Sequence, residues 1–333
     1  MTEIPVVSVI MLIYNQKNTF SRAVESVLCQ KCSFPIEILI GDDASTDGSS
    51  ELIAEYAKKY SIIRPFFREE NLGVTRNAYE LLLQAKGKYI ASCEGDDYWC
   101  DDEKLKKQVE FLDAHEEYVG CSHDVDMVTP EGVVFSRKNP TWVSNKKEYG
   151  YKDFKGIFLP GQSGSIVKRN IFTAENLSLL YKASSNIGDR TTVLLCLPYG
   201  KFYHMKEHMA CYTVAMDKKS ASITQKNRND PAAARRKEWE YTKTLEEYAE
   251  KNAIPVSFEW YKRKTFCSSI LAVLFFKEKD RALPREILDA ADNKLVYIFA
   301  LLPLLVVKLW HKFRYTCLKW RYSRIRKKRN GRL

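Results

Sequence analysis

The chain of 333 residues can bury one large or two modest cores, and 45% hydrophobic with 29% charged residues excludes disorder over most of its length. The formal charge of +11 would suit a nucleic-acid binder, but Lys308 to Leu333 carries eleven Lys or Arg and no acidic residue, so the other residues sum to zero. Nine cysteines, an odd number, with only Met1 to Pro5 where a signal peptide would need an apolar stretch, point to free thiols in a reducing cytosol.

In chain order, Val6 to Tyr14 is an apolar run rich in β-branched residues, as expected of a strand buried on both faces. A helix follows, with Phe20, Val24, Val27 and Leu28 on one side. The pair Cys29 and Cys32 has redox or zinc spacing, but no second such pair accompanies it, which argues for ordinary thiols. A second strand ends at Asp42-Asp43, a turn and helix run from Ser45 to Tyr60, and Ile62 to Phe67 gives a shorter third strand. A helix from Gly73 to Gly87 leads into a fourth strand that closes on Glu94, Asp96 and Asp97.

Four strand-helix repeats with short connections predict right-handed crossovers and a doubly wound sheet, in which ligands bind beyond the carboxyl ends of the strands. Three polar clusters fall there: Asn15, the Asp42-Asp43 pair, and the acidic group at 94–97. A lone Asp-Asp pair most often caps a helix or faces water. Glu94 and Asp96 share a face of an extended chain, however, and Asp97 adds a third carboxylate beside them. Like charges held so close call for a proton or a hard cation such as Mg²⁺ or Mn²⁺, which is usually held by one or two carboxylates plus substrate phosphates.

From Tyr118 to about Thr224 short strands alternate with Gly- and Pro-punctuated loops. The string His204-Met-Lys-Glu-His208 spells a zinc-protease pattern, but that chemistry needs a helix, and the alternation here reads as a strand. Beyond Asn227 the chain turns helical: a charged helix opens on Asp230-Pro231, a second is expected over Ser257 to Phe276, and a third begins near Pro284. The thirteen apolar residues Leu295 to Val307 fall short of the roughly 20 needed to span a bilayer. They could form a buried core helix. The aromatic and cationic run after them fits a segment lying in a membrane interface, with a solvated or nucleic-acid-binding tail as the rival reading.

The series Val6 to Asn15, Glu37 to Ser49 and Asn71 to Asp97 resembles the family 2 glycosyltransferases, over roughly Val6 to Ser222. The resemblance implies an α/β fold: a Rossmann-like, doubly wound mixed sheet of the A-type nucleotide-sugar transferase kind (GT-A), followed by a C-terminal helical region. It implies a catalytic domain over 1–225, a helical extension over 226–293 and a membrane-associating tail over 294–333. By resemblance Tyr14 and Asn15 lie at the nucleotide, Tyr14 stacking near the base, and Asp42 or Asp43 accepts the base's imide N–H. Arg76 and Asn77 match the family's Arg-Asn near the nucleotide. Glu94-Gly-Asp96-Asp97 stands where the family has Asp-x-Asp-Asp, so Asp96 is expected at the ribose and Asp97 with Glu94 at Mn²⁺ or Mg²⁺. Family members often place a metal-contacting His after a Tyr-Arg farther on, and Tyr212-Thr213-Val214 has neither the Arg nor the His.

Transfer to a hydroxyl needs a general base, which the family supplies from an acidic residue at the start of a downstream helix. The match is Asp189, whose plain alternative is a helix cap. Gln162, Ser163, Ser165 and Arg169 match a loop that shapes the sugar or acceptor pocket. The implied enzyme is an inverting transferase moving a sugar, from a UDP-linked donor, to a lipid-linked or other membrane-held glycan in surface polysaccharide assembly. It would be a peripheral protein at the cytoplasmic face of the membrane, touching the anionic surface through 295–333, with no nucleic-acid partner expected. Two rivals are a nucleotidyltransferase, which would show a Gly-rich basic loop after the first strand, and an inactive nucleic-acid binder using the tail.

Overall fold

The chain is described by a computed structural model over residues 3–156, 158–185, 188–214, 230–275 and 280–330. It divides into two units, Met1–Asp153 with Phe158–Val214, and Phe154–Ile157 with Ala215–Leu333. The expected boundary at 225/226 lies outside the described residues.

The first unit is built on ten strands: β1 (Val7–Ile13), β2 (Ile36–Asp42), β3 (Ile63–Phe67), β4 (Tyr89–Ser92), β5 (Tyr98–Trp99), β6 (Tyr118–Val128), β7 (Val134–Ser136), β8 (Glu148–Tyr149), β9 (Val167–Arg169) and β10 (Lys201–Thr213). Their order is β3-β2-β1-β4-β9-β6-β10-β5, with β7 on β6 and β8 on β10. The run β3-β2-β1-β4 is parallel, as the apolar strands separated by helices predict. Antiparallel β9 then separates β4 from β6, so β6 and its parallel neighbour β10 again point the same way as β1. The fold is therefore the expected mixed α/β sheet with flanking helices. The fourth strand is shorter than predicted: it stops at Ser92, and the acidic residues form a turn before β5.

Helices cover the sheet where their apolar spacing dictates. Helix α1 (Lys17–Leu28) buries Phe20, Ala23, Val24 and Val27 against Val7, Val9 and Met11 of β1. Helix α2 (Ser49–Lys59) buries Ile53 in the same cluster. On the other face α3 (Val74–Leu82) and α5 (Ala174–Ala183) pack Leu81, Leu177 and Leu180 on Ile10, Leu39 and Ile90. Helix α4 (Lys104–Ala114) adds Leu105, Val109 and Leu112 to the first layer, and α6 (Asp189–Cys196) follows α5. At about 25 cal/mol per Å² of apolar surface, these two layers supply the main favourable term.

The second unit is helical: α7 (Pro231–Lys251), α8 (Glu259–Phe275), α9 (Ala282–Asp289), α10 (Lys294–Phe299) and α11 (Leu301–Asn330). Asp230 caps α7 by accepting from Ala233 N, with Pro231 at the first turn, as the sequence predicts. Trp239, Phe266, Leu283, Ile287 and Tyr297 form its core, with Leu301 against them. Tyr297 and Leu301, from the stretch expected to begin the tail, pack in this core. Pro303 sits in the first turn of α11, where a missing N–H costs nothing.

Candidate active site

The carboxyl ends of β1, β2, β4, β6 and β10 lie on one rim of the sheet because all five strands run in one direction. Ile13 is in register with Asp42, and Asp43 N donates to Ile13 O at 2.9 Å, which sets the first two clusters side by side. Asn15 takes a left-handed φ of 54°. Its N donates to Ser45 Oγ and its Oδ1 accepts from Thr46 N, tying the loop after β1 to the loop after β2. Tyr14 is half-exposed, with its ring available to a planar ligand.

The two aspartates of β2 differ. Asp43 is buried, its oxygens accepting from Leu72 N and Gly73 N, so it shapes the loop before α3. Asp42 accepts from Ser50 Oγ through Oδ2, while its buried Oδ1 has no hydrogen-bond partner among the described residues. An orphaned buried acceptor is costly unless something donates to it.

The acidic turn is held from three sides. Asp97 is buried, accepting from Gln162 Nε2 at 2.9 Å and from Thr213 N at 2.7 Å. Thr213 Oγ1 donates to Asp96 O. Trp99 Nε1 donates to Gly164 O at 3.1 Å, locking the turn to a 3-10 turn at Ser163–Ser165. The Ser163 hydroxyl favours the ionised form of both Glu94 and Asp189, and the two carboxyls repel one another, which sets the first residue of α6 near the acidic turn.

Charge is crowded here. Burial first, then the neighbouring Asp96 and Asp189, push the Glu94 pKa up to about 8 against the pull of Ser163. Burial, then Asp96 and Glu94, raise Asp97 well above the usual range. Burial also raises Asp96 and Asp189, with Lys168 and Arg190 opposing it at Asp189. Tyr212, raised first by burial, feels all four carboxyls. Hard oxygens pressed towards protonation are the donor set a divalent cation relieves. Among the described residues no three His, Cys, Asp or Glu are grouped to hold a metal ion.

Several predicted residues stand elsewhere or do other work. Arg169 is in register with Tyr89, at the end of β4 opposite the rim, and its guanidinium donates to the carbonyls of Tyr118, Leu112 and His115. It braces the sheet at the end away from the rim. Asn77 is buried, donating to Gly41 O at 2.8 Å and accepting from Arg68 Nε, so it positions β2. Arg76 pairs with Glu80 and lies over the rings of Tyr79 and Tyr181. Ser165 is fully buried and donates to Gln162 O, closing the 3-10 turn.

Sequence reasoning missed Tyr212, Thr213, Lys168 and Arg22. Arg22 reaches Asp96 O from α1 and lies 4.4 Å from the Tyr98 ring centroid. None belongs to the strand-end motifs, and only the placement of β10 beside β6 brings Tyr212 and Thr213 to the rim. The expected strand for His204 and His208 is observed. Across from β6, His204 Nε2 contacts Asp124 Oδ1 at 2.9 Å and His208 Nδ1 contacts Asp126 Oδ1 at 2.7 Å, a pair of strand-to-strand ties.

Parallel strands ending in carboxylates on one rim, with a helix N-terminus delivering a further acid, define the GT-A class of nucleotide-sugar folds. Residues 8–173 match the family model described as Glycosyl transferase family 2, and this half of the chain belongs to that family. The putative teichuronic acid biosynthesis glycosyltransferase TuaG of Bacillus subtilis is 40% identical over 109 residues, 32% of this chain and 42% of TuaG. The UDP-Glc:alpha-D-GlcNAc-diphosphoundecaprenol beta-1,3-glucosyltransferase WfaP of Escherichia coli is 34% identical over 118 residues, 35% of this chain and 45% of WfaP. The matches thus span less than half the length of these curated relatives. S. aureus TarS 1-349 in complex with UDP superposes with a TM-score of 0.55 at 18% identity, covering 86% of this chain and 81% of TarS, a likeness of fold.

Proposed function

We propose that the protein is an inverting, metal-dependent glycosyltransferase. It moves a sugar from a UDP-linked donor to a membrane-held glycan, lipid-linked or polymeric, in surface polysaccharide assembly at the cytoplasmic face of the membrane. The observation that carries this is the approach of Asp189 to Glu94 and its neighbours Asp96 and Asp97, on the rim that also bears Asp42. The names of TuaG and WfaP support the polysaccharide and the diphosphate-lipid acceptor, and the UDP held by TarS supports the donor class.

In this reading Asp42 Oδ1, the orphaned acceptor, takes the imide N–H of the base, and Tyr14 stacks on its ring, with Asn15 and Asp43 fixing the loops around it. Asp96 contacts the ribose. Mn²⁺ or Mg²⁺, held by Glu94, Asp97 and the donor's diphosphate, would neutralise the charge that develops on the leaving group. Asp189 accepts the proton of the acceptor hydroxyl; burial raises its pKa, which suits a base, and Lys168 and Arg190 oppose that rise. Attack from the face opposite the diphosphate inverts the anomeric centre. Gln162 and Ser163 line the sugar side, the residues 1–225 carry the chemistry, and 295–333 meet the anionic lipid surface.

The test is a panel of UDP-sugars with a polyprenyl-diphosphate-linked acceptor, reading UDP release with and without Mn²⁺. Release that depends on both acceptor and Mn²⁺ is expected. Asp189→Asn should lower turnover by about 10²- to 10⁴-fold while donor binding persists. Full turnover by that variant, or release indifferent to metal, would overturn the assignment.

A further inference from the structure

Helix α11 has two unlike long faces. Leu301 packs on the core of the second unit and Tyr322 is buried. On the other face Leu302, Val306, Leu309, Phe313 and Trp320 are between 58% and 76% exposed. At 3.6 residues per turn these five fall within about 60° of arc, one uninterrupted stripe with Trp310 at its edge. Lys312 and Lys319 flank the stripe on one side, Arg314 and Arg321 on the other. The guanidiniums of Arg314 and Arg324 lie 4.7 Å and 4.5 Å from the ring centroids of Trp310 and Trp320.

Exposed apolar surface in a single stripe calls for a cover. A second copy of this helix would face cations with cations, because no Asp or Glu follows Asp292 to pair with them. Nucleic acid would engage the cations and leave the Leu and Val side chains in water. A bilayer interface satisfies both: the apolar stripe enters the acyl boundary, the indole rings sit at headgroup level, and the flanking cations reach lipid phosphates. No helix among the described residues is long and apolar enough to cross a membrane.

We propose that α11 docks lengthwise on an anionic bilayer through the stripe from Leu302 to Trp320, lying in the plane of the interface. This deepens the membrane-face reading above, and its test measures binding without turnover, so that either can fail alone. Full-length protein is floated with vesicles of phosphatidylcholine alone or with about one-third phosphatidylglycerol. Binding at least tenfold stronger to the anionic vesicles is expected. Leu302→Gln with Phe313→Gln should lose at least tenfold of it, with circular dichroism and melting temperature unchanged. Lys312→Glu with Lys319→Glu, which leaves the stripe intact, should erase the preference for phosphatidylglycerol. The proposal is overturned if the Gln pair floats as the parent does, or if vesicles are ignored while the Gln pair abolishes a dimer in sedimentation. Retention on duplex DNA that persists when vesicle binding is absent would overturn it too.

Discussion

Glu94 shows how one carboxyl can report the state of its neighbours. With a pKa of about 8 it is mostly protonated at pH 7 when no cation offsets Asp96 and Asp189. A divalent ion must displace that proton, so apparent Mn²⁺ affinity in the presence of UDP should strengthen as pH rises through about 8 and then level off. Titration calorimetry in two buffers of different ionisation enthalpy would show proton release near pH 7 and almost none above pH 9. Pair-independent heats and a flat affinity would remove Glu94 from the cation's surroundings, and Glu94→Gln is expected to flatten the curve. The acids themselves were legible as strand-end residues. Their mutual spacing was not, because Asp189 nears Glu94 only in the folded chain, beside a turn that Trp99 ties to β5 and Gln162 ties to Asp97.

At the level of elements, direction along a strand or around a helix decides what a side chain can touch. Asn77 follows Arg76 by one position, and about 100° of helical rotation sends it under β2. There Gly41 leaves room that a Cβ would fill, at 2.4 Å from Asn77 Oδ1. Asn77→Ala strands the Gly41 carbonyl and should cost about 1–3 kcal/mol in urea unfolding. Its effect on UDP affinity should be small by comparison. A large loss of affinity with unchanged stability would return Asn77 to the ligand. Strand β9 makes the same point: Lys168 approaches Asp189 while Arg169, its neighbour, braces the far end of β4. The pleat decides which of the two cations turns towards Asp189.

For the whole molecule, the proposed sharing of the cation between protein carboxylates and the donor's diphosphate has a thermal consequence. Mn²⁺ alone should leave the melting temperature nearly unmoved, and Mn²⁺ with UDP should raise it by several degrees, because ligands that bind only the folded state stabilise it by mass action. Equal shifts from Mn²⁺ alone would mean that the protein completes the site unaided. The concentration of positive charge after Lys308 was plain in the sequence, and its division into an exposed apolar stripe and flanking cations was not.

The order of strands and helices, the polar residues that close three of the strands, and the separation of a neutral body from a basic tail all follow from local composition. Strands buried on both faces are largely apolar, and the chain leaves the sheet near the clusters of polar residues. Which carboxyls approach one another, which arginine turns away from the rim, and which face of the last helix stays bare were settled by tertiary packing. Those outcomes depend on residues from distant segments competing for the same space, and no spacing within one segment encodes that competition.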